Sequence, residues 1–261
     1  MVNDGQSPRS DLGLDSPDSV NLSIWNDSLT LHPHGDYPWP MSIETPATGR
    51  RYKGADPAER VAQRRAKILA AGIDLFATRG YPQTTMAMLS VASGVPHRYL
   101  SQLFPSKEDL LREIYLAISK QVMEAVLLAR RSPGASPIEQ IRRDVDVACR
   151  AFLADERSLR INCLEVVGVS QAFEQLRRQV IREFSRLIED EIQQFVGAGL
   201  LPDQADYASA ALGLVGAFHE LMTEWVLTPA SRRPPATVLV EQVQEFFRGM
   251  LLAALHPGPG L

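Results

Sequence analysis

The sequence is poor in cysteine and contains no long apolar run. Two cysteines, Cys149 and Cys163, stand among 261 residues, too few for a zinc framework or a set of disulfides. Both lie in apolar helical surroundings, so we expect buried free thiols in a reducing compartment. No apolar stretch approaches the roughly 18 residues that span a bilayer, and the polar N-terminus lacks the apolar core of a secretory signal. We therefore expect a cytoplasmic protein that does not contact a membrane.

Patterns typical of enzymes and of metal or cofactor sites are also missing. There is no nucleophile paired with a base and no glycine-rich phosphate loop. The segment HELMT at 219–223 begins like the zinc motif HExxH, but Thr223 stands where the second histidine ligand is required. His32 and His34 lie in a segment without cysteine or a helix to fix them as ligands. We expect no catalytic residue, no metal and no cofactor, and an enzyme built on a helical bundle is the weaker alternative.

The charge is distributed unevenly along the chain. Its formal net charge is −4, yet residues 50–112 hold eleven Lys and Arg against five Asp and Glu. The segments before and after this stretch are both acidic. A basic segment of about 60 residues inside an acidic protein indicates a polyanionic partner such as nucleic acid.

The two ends of the chain differ in composition from the rest. Residues 1–55 are rich in Ser, Asp, Pro and Gly without sustained periodicity, which predicts a disordered N-terminal extension. The composition turns basic after Met41, so translation from Met41 rather than Met1 is an alternative start. The mass of the native protein decides between them. Residues 257–261 are expected to form a flexible tail.

Capping signals from Asp56 onward predict four helices in close succession. Asp56, Pro57 and Glu59 form a capping-box pattern that opens a helix to about Arg79. The second helix, from Met86 to Ser93, is capped by Thr84 or Thr85 and ends at a turn at Gly94. Inward positions are expected at Ile68, Ala71, Leu75 and Phe76 in the first helix and at Met88, Leu89 and Ala92 in the second.

The third helix is too short to be stable without packing. It begins at Pro96 and ends near Leu103, and Leu100 and Phe104 are spaced to anchor it. Ser106 with Asp109 caps a fourth helix that runs to about Arg130. A helix, a short turn with glycine and a second short helix form the helix-turn-helix pattern, whose outward side chains fit the major groove of DNA.

The remaining chain is helical in pattern, and no strand-like alternation of any length appears. We predict helices at about 137–155, 157–168, 170–198, 203–227 and 235–255. The fold class is therefore all-α, with a helix-turn-helix domain at 56–115 and a second helical domain at 116–256.

Several short motifs stand at defined spacing within residues 64–115: Leu75-Phe76, Gly80-Tyr81, Thr84-Thr85, Gly94-Val95, Phe104, and Ser106-Lys107-Glu108 followed by Leu110-Leu111. With these motifs the segment resembles the TetR family of bacterial one-component regulators. The C-terminal helices are similar to the family only in length, order and helical character.

The resemblance implies a homodimer that binds a palindromic operator and is released from DNA by a small-molecule inducer. We therefore expect a ligand-responsive transcriptional regulator acting as a repressor, with double-stranded DNA and a small effector as partners. The family often has Tyr at the position of Ser101 and His at the position of Leu103. A helical ligand-binding dimer that has lost DNA binding is accordingly an alternative.

Several side chains of this region have the chemistry for DNA contact. Arg commonly pairs with guanine and Gln with adenine, while helix N-termini attract phosphates. A basic arm before the first helix could follow the backbone or a minor groove. The predicted DNA-binding residues are Arg50, Arg51, Lys53, Thr85, His97, Arg98, Tyr99, Ser101, Gln102 and Lys107.

The ligand site in the C-terminal half is harder to predict, because an apolar stripe on a helix can form either a core or the wall of a pocket. The predicted ligand-binding residues are Phe152, Cys163, Val167, Phe184, Phe218 and His219. His219 and Thr223, four residues apart, either contact a ligand or form a local pair. The arginines at 177, 178, 182 and 186 are expected to form a solvated, salt-bridged face.

Small and apolar residues recur at helical spacing on each of the last two helices. This pattern predicts a four-helix dimer interface. The alternative is that these stripes pack within their own subunit. The residues concerned are Ala208, Ala211, Leu212, Val215, Met222, Leu239, Val243, Phe246 and Met250.

Overall fold

A computed structural model describes residues 56–131, 136–203 and 207–255 of the chain. Within these ranges the chain forms nine α-helices and no strand. The N-terminal helices are α1 (Pro57–Arg79), α2 (Met86–Ser93), α3 (His97–Leu103) and α4 (Lys107–Arg130). They are followed by α5 (Pro137–Leu153), α6 (Glu156–Arg160), α7 (Gln171–Gly197), α8 (Tyr207–Leu227) and α9 (Ala236–Leu255). The prediction of an all-α fold is confirmed.

The N-terminal helix boundaries follow the capping residues. Asp56 accepts the N–H of Ala58 at the start of α1, and Thr85 accepts that of Met88 at the start of α2. Ser106 and Asp109 form a reciprocal capping box at the start of α4. Each cap satisfies backbone donors that the first turn of a helix leaves free. Short helices therefore begin at defined residues despite their low intrinsic stability.

Two details of α2 differ from the prediction. Thr85 is the cap, while Thr84 is buried and donates its hydroxyl to the carbonyl oxygen of Gly80 at 2.9 Å. Leu89 is fully buried, but Ala92 is exposed. Gly94 adopts the left-handed conformation with φ of 65°, which lets the chain turn sharply into α3.

One apolar core is continuous from the helix-turn-helix into the C-terminal half. It includes Phe76, Leu100 and Phe104 of the N-terminal helices and Phe173 and Val180 of α7. The predicted boundary between residues 115 and 116 falls inside α4, which runs unbroken through both parts. Motion of α4 is therefore mechanically linked to both halves.

The predicted helix at 157–168 is interrupted. Helix α6 ends at Arg160 and is followed by a π-helical turn, Ile161–Glu165, with wider winding than an α-helix. Such turns are rare and occur mainly at functional sites. This segment contacts both α1 and α8, so it lies between the two halves of the molecule.

The stripes predicted for a dimer interface divide into two groups. Ala211, Met222, Leu239 and Val243 are buried within the subunit, so for these positions packing inside the domain is the correct alternative. Ala208 is exposed, and Leu212 and Phe246 remain about half exposed. An apolar surface on α8 and α9 is thus left open in the single chain.

No helix in the described ranges is long and apolar enough to cross a membrane. The N-terminal extension at 1–55 and the tail at 257–261 lie outside the described residues, and those two predictions stay predictions.

Candidate DNA-binding surface and ligand cavity

The short helix α3 is held by two buried side chains. Leu100 is fully buried, and Phe104 is 2% exposed. The guanidinium of Arg65 lies 4.8 Å from the Phe104 ring centre and donates through Nε to Glu113 at 2.9 Å. The predicted anchoring of α3 by Leu100 and Phe104 is confirmed, and Arg65 of α1 links Phe104 to Glu113 of α4.

The opposite face of α3 presents the polar side chains predicted to meet DNA. His97, Arg98 and Gln102 are exposed, while Tyr99 and Ser101 are half-buried. Ser101 Oγ lies 3.3 Å from Nδ1 of His97, a contact along one helical turn. All five side chains therefore share the outward side or the margin of a rigid helix.

A cluster of cations surrounds Tyr99. Arg98 donates to the Tyr99 hydroxyl at 2.7 Å, and its guanidinium lies 4.5 Å from the ring centre. Arg64, reaching from α1, lies 4.4 Å from the same centre. Contact of a cation with an aromatic face is attractive. Tyr99 thus holds two positive charges together beside the exposed face of α3.

Lys107 occupies a position that the sequence analysis did not foresee. Its Nζ donates to the carbonyl oxygens of Tyr81, Pro82 and Thr84 at 2.8, 3.3 and 3.1 Å. It also lies 4.2 Å from the ring centre of Tyr81. Burial lowers the pKa of the Lys107 ammonium group. All three of its donors are used to hold the loop before α2, so its predicted contact with phosphate has no free donor in this conformation.

Thr85 lies exposed at the start of α2, next to the loop that Lys107 holds. Its Oγ1 accepts the N–H of Met88 at 3.3 Å, so its predicted capping role is present and phosphate contact remains a prediction. Arg50, Arg51 and Lys53 lie outside the described residues.

A large cavity opens between the helices of the C-terminal half. It lies between α4, α5, the π-helical turn, α7 and α8, and its empty space, counted together with the adjoining solvent, is about 940 Å³. Five of the six predicted ligand-binding residues line it: Phe152, Cys163, Phe184, Phe218 and His219.

Val167 was predicted for the ligand site and is not in the cavity wall. It follows the π-helical turn and is 54% exposed. The changed winding of residues 161–165 shifts the side chains that follow, so an α-helical register extended from Cys163 places Val167 on the wrong face.

The middle of the cavity is apolar. Phe152 and Phe218 pack against each other there with ring centres 5.6 Å apart, and Val122, Val180 and Phe184 contribute to the same walls. Burial raises the pKa of the Cys163 thiol to about 11 and that of the Cys149 thiol to about 12. Both cysteines are therefore neutral, buried thiols, as predicted.

Polar side chains gather at the end of the cavity nearest the helix-turn-helix. Asn162 donates to the hydroxyl of Ser119 at 3.3 Å, and Arg177 and His219 line the same end. Burial, followed by the nearby charge of Arg177, lowers the pKa of the His219 imidazole. Nε2 of His219 is buried without a hydrogen-bond partner in the described part of the chain. The imidazole is therefore neutral and one nitrogen is available.

His219 and Thr223 also form the local pair that the sequence analysis considered. Thr223 Oγ1 donates to the carbonyl oxygen of His219 at 2.8 Å. The hydroxyl of Thr223 is thus used within α8, while the imidazole of His219 points to the cavity.

The far end of the cavity carries charges that neutralise one another. Arg130 donates to Asp144 at 2.6 Å and forms an ion pair with Glu191, and Gln140 donates to the other oxygen of Asp144 at 2.9 Å. Burial and the neighbouring Asp144 raise the pKa of Glu191 to about 8. One arginine is thus shared by two carboxyl groups, and burial beside Asp144 favours the protonated form of Glu191.

Arg177 is the functional candidate that the sequence analysis missed. Arg178, Arg182 and Arg186 are exposed, as expected for a solvated face, but Arg177 turns inward and its side chain is 17% exposed. The helical spacing of Arg177 in the sequence could have indicated that it faces inward. Arg177 lies three residues before Val180 and seven before Phe184, on the apolar stripe of α7 rather than opposite it.

The π-helical turn connects the cavity to the helix-turn-helix. Asn162 and Cys163 face the cavity, while Glu165 accepts the backbone N–H of Tyr81 at 2.7 Å. Arg157, just before the turn, donates to Asp74 of α1 at 2.5 Å. Five consecutive residues therefore contact both the cavity and the loop that leads into α2.

Comparisons with known proteins agree with this architecture. A family model described as bacterial regulatory proteins of the tetR family matches residues 68–114. The helix-turn-helix that carries α3 lies within this match.

Two relatives extend the similarity beyond that region. The chain is 22% identical over 200 residues to the uncharacterized HTH-type transcriptional regulator YerO of Bacillus subtilis, covering 75% of this chain and 68% of the relative. It is 26% identical over 152 residues to the HTH-type transcriptional regulator CymR of Pseudomonas putida, covering 57% and 73%.

The fold is similar to that of the fatty acid degradation regulator FadR from Bacillus halodurans. The TM-score is 0.63 at 18% identity, with 76% of this chain and 97% of the other covered. The motif match, the relatives and the fold agree: residues 68–114 match the DNA-binding region of the tetR family, and the chain is similar to HTH-type transcriptional regulators over a longer range.

Proposed function

We propose that the protein is a repressor that binds a palindromic operator as a homodimer and is released by a small effector bound in the cavity. The observation that carries this proposal is the geometry of α3. Leu100 and Phe104 are buried beneath it, while Arg98 and Gln102 are exposed above it. A rigid helix with this arrangement can enter a major groove and present base-reading side chains.

The half-exposed face of α8 and α9 supports dimerisation. Leu212 is 50% and Phe246 is 49% exposed, and added Cβ atoms at Gly213, Gly216 and Gly249 would meet nothing within 4 Å. Small residues beside large apolar ones allow two helix pairs to approach closely, and two copies would form a four-helix interface. Such a dimer sets two α3 helices at a fixed separation, as a palindrome requires.

The π-helical turn supports effector control. A ligand that contacts Asn162 or Cys163 pushes on a segment whose next residues hold Tyr81 through Glu165. Tyr81 in turn lies against Lys107, which fixes the loop before α2. A shift of this turn would therefore tilt α2 and α3 and change the separation of the two reading helices.

The test is selection of bound duplexes from a random pool with the full chain, followed by footprinting of the selected sites. We expect an inverted repeat whose half-site centres lie about one helical turn, roughly 34 Å, apart. A selected site without two-fold symmetry would contradict the dimeric mode. No enrichment at any salt concentration would favour a family member that has lost DNA binding.

A further inference from the structure

We infer that the effector is an amphipathic organic acid, with its carboxylate at Arg177 and an apolar body along the cavity toward Ile188. This inference rests on the proposed function in treating the cavity as the effector site. It adds the chemical class of the ligand and its orientation.

The charge of Arg177 is incompletely balanced. Its Nε donates to Glu174 at 3.3 Å, and its two terminal nitrogens make no hydrogen bond within the described ranges. Glu174 is 34% exposed and its other oxygen accepts the N–H of Gly168. A largely buried guanidinium is costly unless further acceptors reach it. A carboxylate meets this need because it can accept two parallel bonds from the terminal nitrogens.

The neighbours of Arg177 suit the same head group. His219 offers an unpartnered, buried Nε2, and Asn162 and Ser119 form a hydrogen-bonded pair beside it. The ring's other nitrogen faces the backbone of Asn162, so Nε2 is the imidazole nitrogen open to a ligand, and the neutral ring adds no charge. The polar end of the cavity thus supplies a cation and neutral hydrogen-bonding groups around one small region.

The rest of the cavity fits an apolar body. From Arg177 to Ile188 along α7 the helix rise gives a path of about 17 Å, and Phe152, Phe184 and Phe218 line it. At its end Arg130 is already paired with Asp144 and Glu191. A second anionic group would gain little there, so the ligand carries its charge at one end.

The test is calorimetric titration of the full-length protein, without DNA, with decanoate and decanol below millimolar concentration. Decanol is the matched neutral ligand. The wild-type protein should bind decanoate at least ten-fold more tightly than decanol. Arg177→Met should lose this preference while retaining its affinity for decanol. Arg178→Met, which makes the same charge change one residue away on the exposed face, should bind like the wild type.

Equal affinity for the two ligands, an unchanged preference in Arg177→Met, or binding of neither would overturn the inference. Decyl phosphate is the third titrant: a tighter fit than decanoate would overturn the carboxylate assignment. If Arg177→Met does not fold by circular dichroism, Arg177→Gln replaces it, with the preference for decanoate again expected to be lost and an unchanged preference contradicting the proposal.

The same titrants, added to a protein–operator complex, separate this inference from the proposed function. In one outcome, decanoate binds through Arg177 and still leaves operator affinity unchanged. This result would contradict effector release but would still support the assigned ligand class. Release of DNA by decanol as strongly as by decanoate would support effector control and overturn the ligand class.

Discussion

The carboxylate of Glu165 accepts the backbone N–H of Tyr81 at 2.7 Å, across 84 residues of sequence. Glu165 ends the π-helical turn that lines the cavity, and Tyr81 lies in the loop before α2. A hydrogen bond to a charged group contributes about 1.5–3 kcal/mol. This contact therefore joins the turn directly to the loop before α2.

Replacing Glu165 by Ala should expose the Tyr81 amide to solvent exchange. Loss of the charged acceptor should speed exchange of this amide by about ten-fold or more, following the energy of such a bond. Hydrogen exchange resolved by residue measures this in the ligand-free protein. Glu124→Ala, at an exposed glutamate of α4, is the control. Equal protection of Tyr81 in both variants would show that the contact does not hold the loop.

Lys107→Met should lower stability without changing the salt dependence of DNA binding. Methionine keeps the apolar stem against Tyr81 but removes the donor to three carbonyls, and we expect a loss of about 1 kcal/mol in the free energy of unfolding. Because the ammonium group is not free for phosphate, the slope of log K against log salt should stay constant.

A slope reduced by about 0.9 with unchanged stability would instead assign Lys107 to a phosphate. Lys120→Met, farther along α4, serves as the control for removal of one positive charge.

Leu100→Ala should cost about 2–5 kcal/mol in unfolding free energy because it opens a cavity under α3. Denaturant unfolding measures this loss. Val91→Ala is the matched control: Val91 is apolar, lies on the preceding helix and is 84% exposed, so its replacement should change stability by less than about 0.5 kcal/mol. Similar losses for both variants would mean that α3 is not held by its apolar face.

The N-terminal helices could be predicted because their signals are local. Thr85, Gly94 and the Ser106–Asp109 capping box mark boundaries through contacts within a few residues, and the structure has all of them. The error at Ala92 has a different origin. Its face depends on how α2 packs against α1, which the eight residues of α2 do not encode by themselves.

The C-terminal site could be predicted only in part because its contacts join distant segments. Phe152, Phe184 and Phe218 follow simple apolar stripes and line the cavity. Arg177 and Val167 were assigned to the wrong side because a mixed stripe of arginines and a π-helical turn both obscure helical register. The contacts of Lys107 were missed for a similar reason, since its acceptors lie 23 to 26 residues earlier in the chain.

The wild type should lose unfolding free energy as the pH rises because of Glu191. Glu191→Gln should not show this pH-dependent loss. The raised pKa of Glu191, about 8 in the fold, means that the folded state binds a proton that the unfolded state releases above about pH 4.3. Stability from this group is complete below that pH and is lost as the pH rises through about 8, at up to about 1.4 kcal/mol per pH unit.

Urea unfolding at pH 6 and pH 8 measures this difference. Relative to the wild type, the free energy of unfolding of Glu191→Gln should be higher at pH 8 than at pH 6. A gap that does not change with pH would show that Glu191 is already ionised in the fold beside Arg130. Glu189→Gln, two residues away on α7, is the control.

The most direct measurement is selection from a random DNA pool, repeated with Arg98→Ala and Gln102→Ala beside the controls Arg178→Ala and Gln175→Ala on α7. If α3 reads DNA, the two α3 variants should each lose base preference at defined positions of both half-sites, at a cost of about 1–3 kcal/mol for a lost bidentate contact. The two controls should select the wild-type site. Wild-type base preference in both α3 variants would contradict the account.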